Sequence, residues 1–157
     1  MANSENIHAT SLLLGDRGVL ITGPSGAGKS ALALALINAR RASGGFAALV
    51  SDDRTIIRAV NGRLIASPTE TLAGGIEVRG AGLFRIAHEE TAILHLAVDL
   101  VPAKDAVRYP DGAKTTFHGV ALPLLRLPAP GQQGTFQPAC QAIEAALFMP
   151  PWPLDAL

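Results

Sequence analysis

Residues Val19 to Ile37 read VLITGPSGAGKSALALALI, and this stretch restricts the fold more than any other in the chain. Its glycines, lysine and serine follow the spacing G-x-x-x-x-G-K-[ST]. Val19, Leu20, Ile21 and Thr22 are apolar or β-branched and read as a buried strand, and Ser30 to Ile37 is an unbroken run of helix formers. A strand that enters a glycine-rich turn and leaves as a helix points successive backbone N–H groups, and the positive end of the helix, at one place. The loop residues Gly23, Pro24, Ser25, Gly26, Ala27, Gly28, Lys29 and Ser30 are therefore expected to bind the phosphates of a nucleotide. Lys29 supplies a point charge for the outer phosphates, and the Ser30 hydroxyl is expected to ligate Mg²⁺.

What precedes the loop is unusual for a nucleotide fold. Ile7 to Leu14 reads as a strand, Gly15 to Gly18 as a tight turn and Val19 to Thr22 as the antiparallel return, whereas a doubly wound fold begins with a strand that goes straight into the loop. After the helix, Phe46 to Asp53 is an apolar run ending in two acids, and RTIIRAV, an NGR turn and LIAS look like a hairpin. A last helix is expected over Pro138 to Leu147, with Thr135 near its start. The reading is one α/β domain over 1–157, with its core at about 7–148.

A phosphate loop needs an acid near its metal, and the AALVSDD strand offers Asp52 and Asp53. Alternation along that strand would turn the two carboxylates opposite ways, one to a metal shell and one to an acceptor or a water; the competing reading is that they only open the turn before Arg54. Glu77, in GGIEVRGAGLF, is either a further acid of the site or one half of an exposed strand pair with Arg79. His8 packs structurally or acts, and His88, His95 and His118 lack zinc-ligand spacing. With 13 basic against 13 acidic residues, nothing in the charge favours nucleic acid or an anionic membrane. Cys140 is the single cysteine, and TAILHLAVDLV is too short and too polar to span a bilayer, so a cytoplasmic protein is expected.

Taken in order, IHATSLLLGDRGVLITGPSGAGKSALAL, LVSDDR and GGIEVRGAGLF resemble the histidine strand, hairpin and loop, the double-aspartate strand and the signature segment of the HPr kinase/phosphorylase family. A weaker similarity continues through VRYPDGAKTTFHGVALPLLRLPAPG. The resemblance implies a β-rich P-loop kinase core similar to phosphoenolpyruvate carboxykinase, in which the opening hairpin is expected. It implies an ATP- and Mg²⁺-dependent serine kinase acting on HPr or an HPr-like phosphocarrier, able to run in reverse with phosphate and pyrophosphate, and assembled as a homo-oligomer, a hexamer in the family. Carried to these positions, it makes Lys29 catalytic, places Ser30 and Glu77 on the metal and assigns the acid–base role to one of Asp52 and Asp53, here Asp53. His8 becomes its partner, and Arg108, eleven residues before the Gly119–Val120 pair, matches an active-site arginine.

The chain departs from the family pattern in places. Only a handful of residues precede the histidine strand, so the resemblance is to a catalytic domain without the family's N-terminal domain. LPAPGQQGTF stands where the family has an arginine-bearing segment tied to dephosphorylation, which favours the kinase direction. Two rivals are a small-molecule kinase of carboxykinase-like fold and a nucleotide-binding sensor module. Asp52, Asp53 and Glu77 argue against the second, since a pure binder needs only the loop.

Overall fold

In the computed structural model, which describes residues 3–131 and 134–153, strands β1 (Ser4–Ile7), β2 (Ala9–Leu14) and β3 (Arg17–Thr22) precede helix α1 (Lys29–Ala42). Strands β4 (Ala47–Ser51), β5 (Thr55–Val60), β6 (Arg63–Pro68), β7 (Gly75–Val78), β8 (Gly82–Arg85) and β9 (Ala92–Val101) follow. The order closes with β10 (Lys114–Phe117), β11 (Val120–Pro128) and helix α2 (Gln137–Phe148). The fold is α/β and strand-rich, as expected. Its larger sheet runs β1-β5-β6-β9-β3-β2-β4, with β11 added to β9 and β10 to β11, while β7 and β8 pair separately.

The opening hairpin is present: β2 and β3 pair antiparallel from Ala9 opposite Thr22 to Leu14 opposite Arg17. Strand β9 pairs parallel with both β3 and β11, and β4 pairs antiparallel with β2 and so runs the same way as β3. Their carboxyl ends consequently emerge along one edge, where the phosphate loop also leaves β3. Strand β9 contacts β6 through its first residues and β3 and β11 through the rest. Enclosure on both faces explains its nearly continuous apolar sequence.

Helix α1 buries Lys29, Leu32, Ala33, Leu36 and Ile37, a spacing of i, i+3, i+4, i+7, i+8 that defines one face. That face packs on Leu12, Leu14, Val19, Ile21, Leu96, Val98 and Leu100, and Ala139 and Ile143 of α2 join the same core. Each large aliphatic side chain so buried contributes about 1.5–3 kcal/mol. A second core, on the opposite face of the sheet, gathers Leu20, Val50, Ile57, Leu64 and Ala97. Among the described residues no helix is long and apolar enough to cross a membrane.

Several sequence expectations need correction. The strand drawn over Ile7 to Leu14 is two strands broken at His8. The strand drawn to Asp53 ends at Ser51, so Asp52 and Asp53 stand on a bend, and strand alternation is not what separates them. Asp53 takes φ 64°, and the left-handed turn between the two residues does the separating. Helix α2 exceeds the expected span by one residue at each end; it starts after Phe136, and Thr135 does not cap it.

Candidate active site

The phosphate loop curls through left-handed glycines, with φ 83° at Gly26 and 102° at Gly28, and α1 begins immediately after Gly28. Lys29 is only 7% exposed. Its Nζ donates to the Gly23 carbonyl at 2.8 Å and the Pro24 carbonyl at 3.1 Å, so the ammonium lies inside the curl. Burial pushes it below the ordinary lysine value, against the opposing pull of Asp53 and then Asp52.

The bend after β4 separates the aspartates by environment. Asp52 is 6% exposed and accepts at both oxygens. Its Oδ1 receives the Ser30 hydroxyl at 2.6 Å and the Thr10 hydroxyl at 2.9 Å, and its Oδ2 receives the Glu77 amide N–H at 3.1 Å. Asp53 is exposed, and its Oδ1 lies 2.8 Å from His8 Nε2. Thr10 joins the two, donating to Asp52 while its oxygen accepts the Asp53 N–H at 3.3 Å. Beneath them Thr55 donates to the Ala9 carbonyl, Ser11 and Thr55 share a hydrogen bond, and Ser51 donates to the Arg54 carbonyl, so hydroxyls tie β2 to the bend and to β5.

The structure thus brings His8, Lys29, Ser30, Asp52 and Asp53 to one edge. Glu77 reaches this group through its backbone, its amide on Asp52 and its side chain exposed. Among the described residues, Arg108 makes no hydrogen bond or ion pair with the loop or the aspartates. It is exposed, its guanidinium 5.3 Å from the Tyr109 ring centroid, on the wall of a groove formed with Leu125, Leu127 and the outer face of α2. Part of the Pro128 to Gly134 segment, Gln132 and Gln133, lies outside the described residues. Sequence reasoning missed Thr10. Two adjacent hydroxyls, Thr10 and Ser11, in an otherwise apolar strand were the signal available.

The donors at this edge suit a hard cation: a serine hydroxyl and a carboxylate, held within hydrogen-bonding distance of each other at the start of a helix. Among the described residues, no three of His, Cys, Asp and Glu gather around one point. The serine hydroxyl and carboxylate fit Mg²⁺, which binds through one or two carboxylates and completes its shell with water and phosphate oxygens.

Residues 1–130 match the family model described as HPr Serine kinase C-terminal domain. The HPr kinase/phosphorylase of Clostridium tetani is 42% identical over 69 residues, which are 44% of this chain and 21% of that protein. That of Clostridium beijerinckii is 35% identical over 86 residues, 55% of this chain and 26% of that protein. The chain therefore matches about a quarter or less of the length of these curated relatives. The structure of the Hpr(Ser) kinase/phosphatase from Coxiella burnetii superposes with a TM-score of 0.75 at 25% identity, covering 91% of this chain and 90% of that one. With a phosphate loop, a double-aspartate bend and a family match over most of its length, the chain belongs to the HPr serine kinase C-terminal domain family.

Proposed function

We propose that the protein is an ATP- and Mg²⁺-dependent serine kinase acting on HPr or an HPr-like phosphocarrier protein, as a homo-oligomer of the cytoplasm. The observation that carries the reading is the division of labour between the aspartates. One is locked onto the loop serine, and the other is exposed at the surface and backed by a histidine. A loop that only bound a nucleotide would have no use for the second.

In this reading the loop amides and Lys29 hold the β- and γ-phosphates, and the ammonium exchanges its two carbonyl partners for phosphate oxygens. Ser30 and Asp52, with Glu77 as a further donor, would hold a Mg²⁺ ion, and the bound ion would supply positive charge against the transferring group. Asp53 takes the proton of the acceptor serine as its oxygen bonds to the γ-phosphorus, and the bond to the β–γ bridging oxygen breaks to release ADP. His8, hydrogen-bonded to Asp53 Oδ1, fixes the direction in which that carboxylate faces. Arg108 enters the site on binding of the acceptor or from a neighbouring subunit. The exposed apolar side chains Val107, Tyr109, Met149 and Trp152 support an assembled state.

The test is incubation with ATP, Mg²⁺ and a purified HPr-like carrier, followed by mass spectrometry of the carrier. One phosphate on a serine, dependent on Mg²⁺, is the expected result. Nucleotide binding without transfer to the carrier would overturn the protein-kinase reading and leave the two rivals.

A further inference from the structure

Helix α2 starts against the phosphate loop. Phe136, the residue before it, rests its ring on Gly28: a Cβ built there would stand 2.7 Å from the ring's Cζ and 3.0 Å from its Cε1. Gly28 is the left-handed residue from which α1 begins, immediately before Lys29 and Ser30. The Phe136 carbonyl also accepts the Cys140 N–H at 2.9 Å, so the ring and the first turn of α2 move together. At its far end α2 is tied to the same helix, α1. Arg40 Nη1 donates to Glu144 Oε2 at 2.6 Å, and its guanidinium stacks 4.2 Å from the Phe148 ring centroid. Helix α2 is thus held at one end by α1 and presses on the phosphate loop at the other.

Glycine at a left-handed position has many other conformations open to it, and a loop with three glycines loses much freedom when it closes on a ligand. A ring seated on Gly28 removes some of those alternatives in advance, which strengthens binding by preorganisation and adds no contact to the ligand. We infer that Phe136 is a positioning residue for the phosphate loop, and that filling the loop and docking the start of α2 form one coupled equilibrium. The coupling is reciprocal: what α2 gives to phosphate binding, bound phosphate returns to α2. The contact is apolar, so the effect acts through shape and leaves the charge of the site unchanged. This inference rests on the reading of the loop as a phosphate site.

The experiment uses the full chain, inorganic pyrophosphate with Mg²⁺ as the probe, calorimetric titration, and hydrogen exchange across 137–148. Phe136→Leu keeps an apolar side chain in the core but ends short of the atoms that touch Gly28, whereas Phe136→Met reaches about as far as the ring. Phe136→Leu is expected to weaken pyrophosphate binding about tenfold with little change in Tm, and Phe136→Met to recover most of the loss. In the unsubstituted protein, pyrophosphate is expected to slow exchange in α2. Equal affinity of Phe136→Leu and the parent, or α2 exchange in the parent that ignores bound pyrophosphate, overturns the inference alone. Failure of the parent to bind pyrophosphate overturns the phosphate reading, and the inference with it.

Discussion

With its ammonium on the carbonyls of Gly23 and Pro24, Lys29 holds the loop in the curl that phosphates are to occupy, so removing it takes away both a charge and a strut. Lys29→Ala is expected to lower turnover roughly a thousandfold while leaving the circular dichroism spectrum unchanged, and steady-state kinetics will show it. Because burial already pushes this ammonium towards neutrality, its charge is lost at a lower pH than that of an ordinary lysine. The alkaline limb of kcat/KM should accordingly fall early, and Lys29→Arg, whose charge persists, should move that limb upward even if its rate is low. The aspartates should separate in kinetics as they do in geometry. In the proposed mechanism Asp53→Asn removes the proton acceptor, so kcat is expected to fall by about 10²- to 10⁴-fold with little change in KM for ATP. Asp52→Asn is expected, on the same proposal, to weaken the hold on Mg²⁺ and nucleotide first, and a Mg²⁺ titration of activity checks it. Equal, mild effects at both positions would return the pair to a simple turn.

At the scale of elements, the joint between β2 and the bend after β4 gives the site its shape, and Thr10 is the centre of that joint. Thr10→Val keeps the volume and deletes a hydroxyl that serves both aspartates. It should cost about 1–3 kcal/mol in urea denaturation, and it should lower activity at concentrations where the protein remains folded. The helix, the hairpin before the loop and the β5–β6 hairpin were legible in the sequence because each follows from local pattern: a 3.6-residue apolar period, a glycine turn, an Asn-Gly turn. The glycines around Ile76 to Val78 marked a short strand but not its partner β8, and the pairing of β3 with β9 was not legible, since it leaves no local mark. An apolar run predicted a strand through Asp53, and the left-handed turn that gives the two aspartates different surroundings depends on Thr10, 43 residues away. Phe136 carried no signal at all, because an aromatic before a helix is ordinary until Gly28 is found beneath it.

At the scale of the whole molecule, the proposed site occupies one edge of the described residues, and what surrounds that edge bears on the direction of the proposed reaction. Reversal requires inorganic phosphate beside a phosphoserine, two anions where the loop provides for one, and further positive charge must come from somewhere. The described part of Pro128 to Gly134 contributes no cationic side chain, and Arg126 has its Nη1 3.8 Å from Asp111 Oδ2. Release of pyrophosphate from the phosphorylated carrier at millimolar phosphate is therefore expected to run well below the forward rate at the same Mg²⁺. Comparable rates would mean that Arg108, or an arginine from another subunit, supplies the missing charge. The β3–β9 pairing has a consequence of another kind, one of timing. The strand that delivers the phosphate loop has its hairpin partner at once, but its other neighbour is made 77 residues later, as the Thr22–Asp99 pair marks. At ordinary rates of synthesis that interval is roughly 4 to 15 s, during which the growing chain carries β3 with one edge bare. A ribosome-held chain that stops before residue 92 should accordingly be open to protease around β3, and one that has released Val101 from the exit tunnel should not.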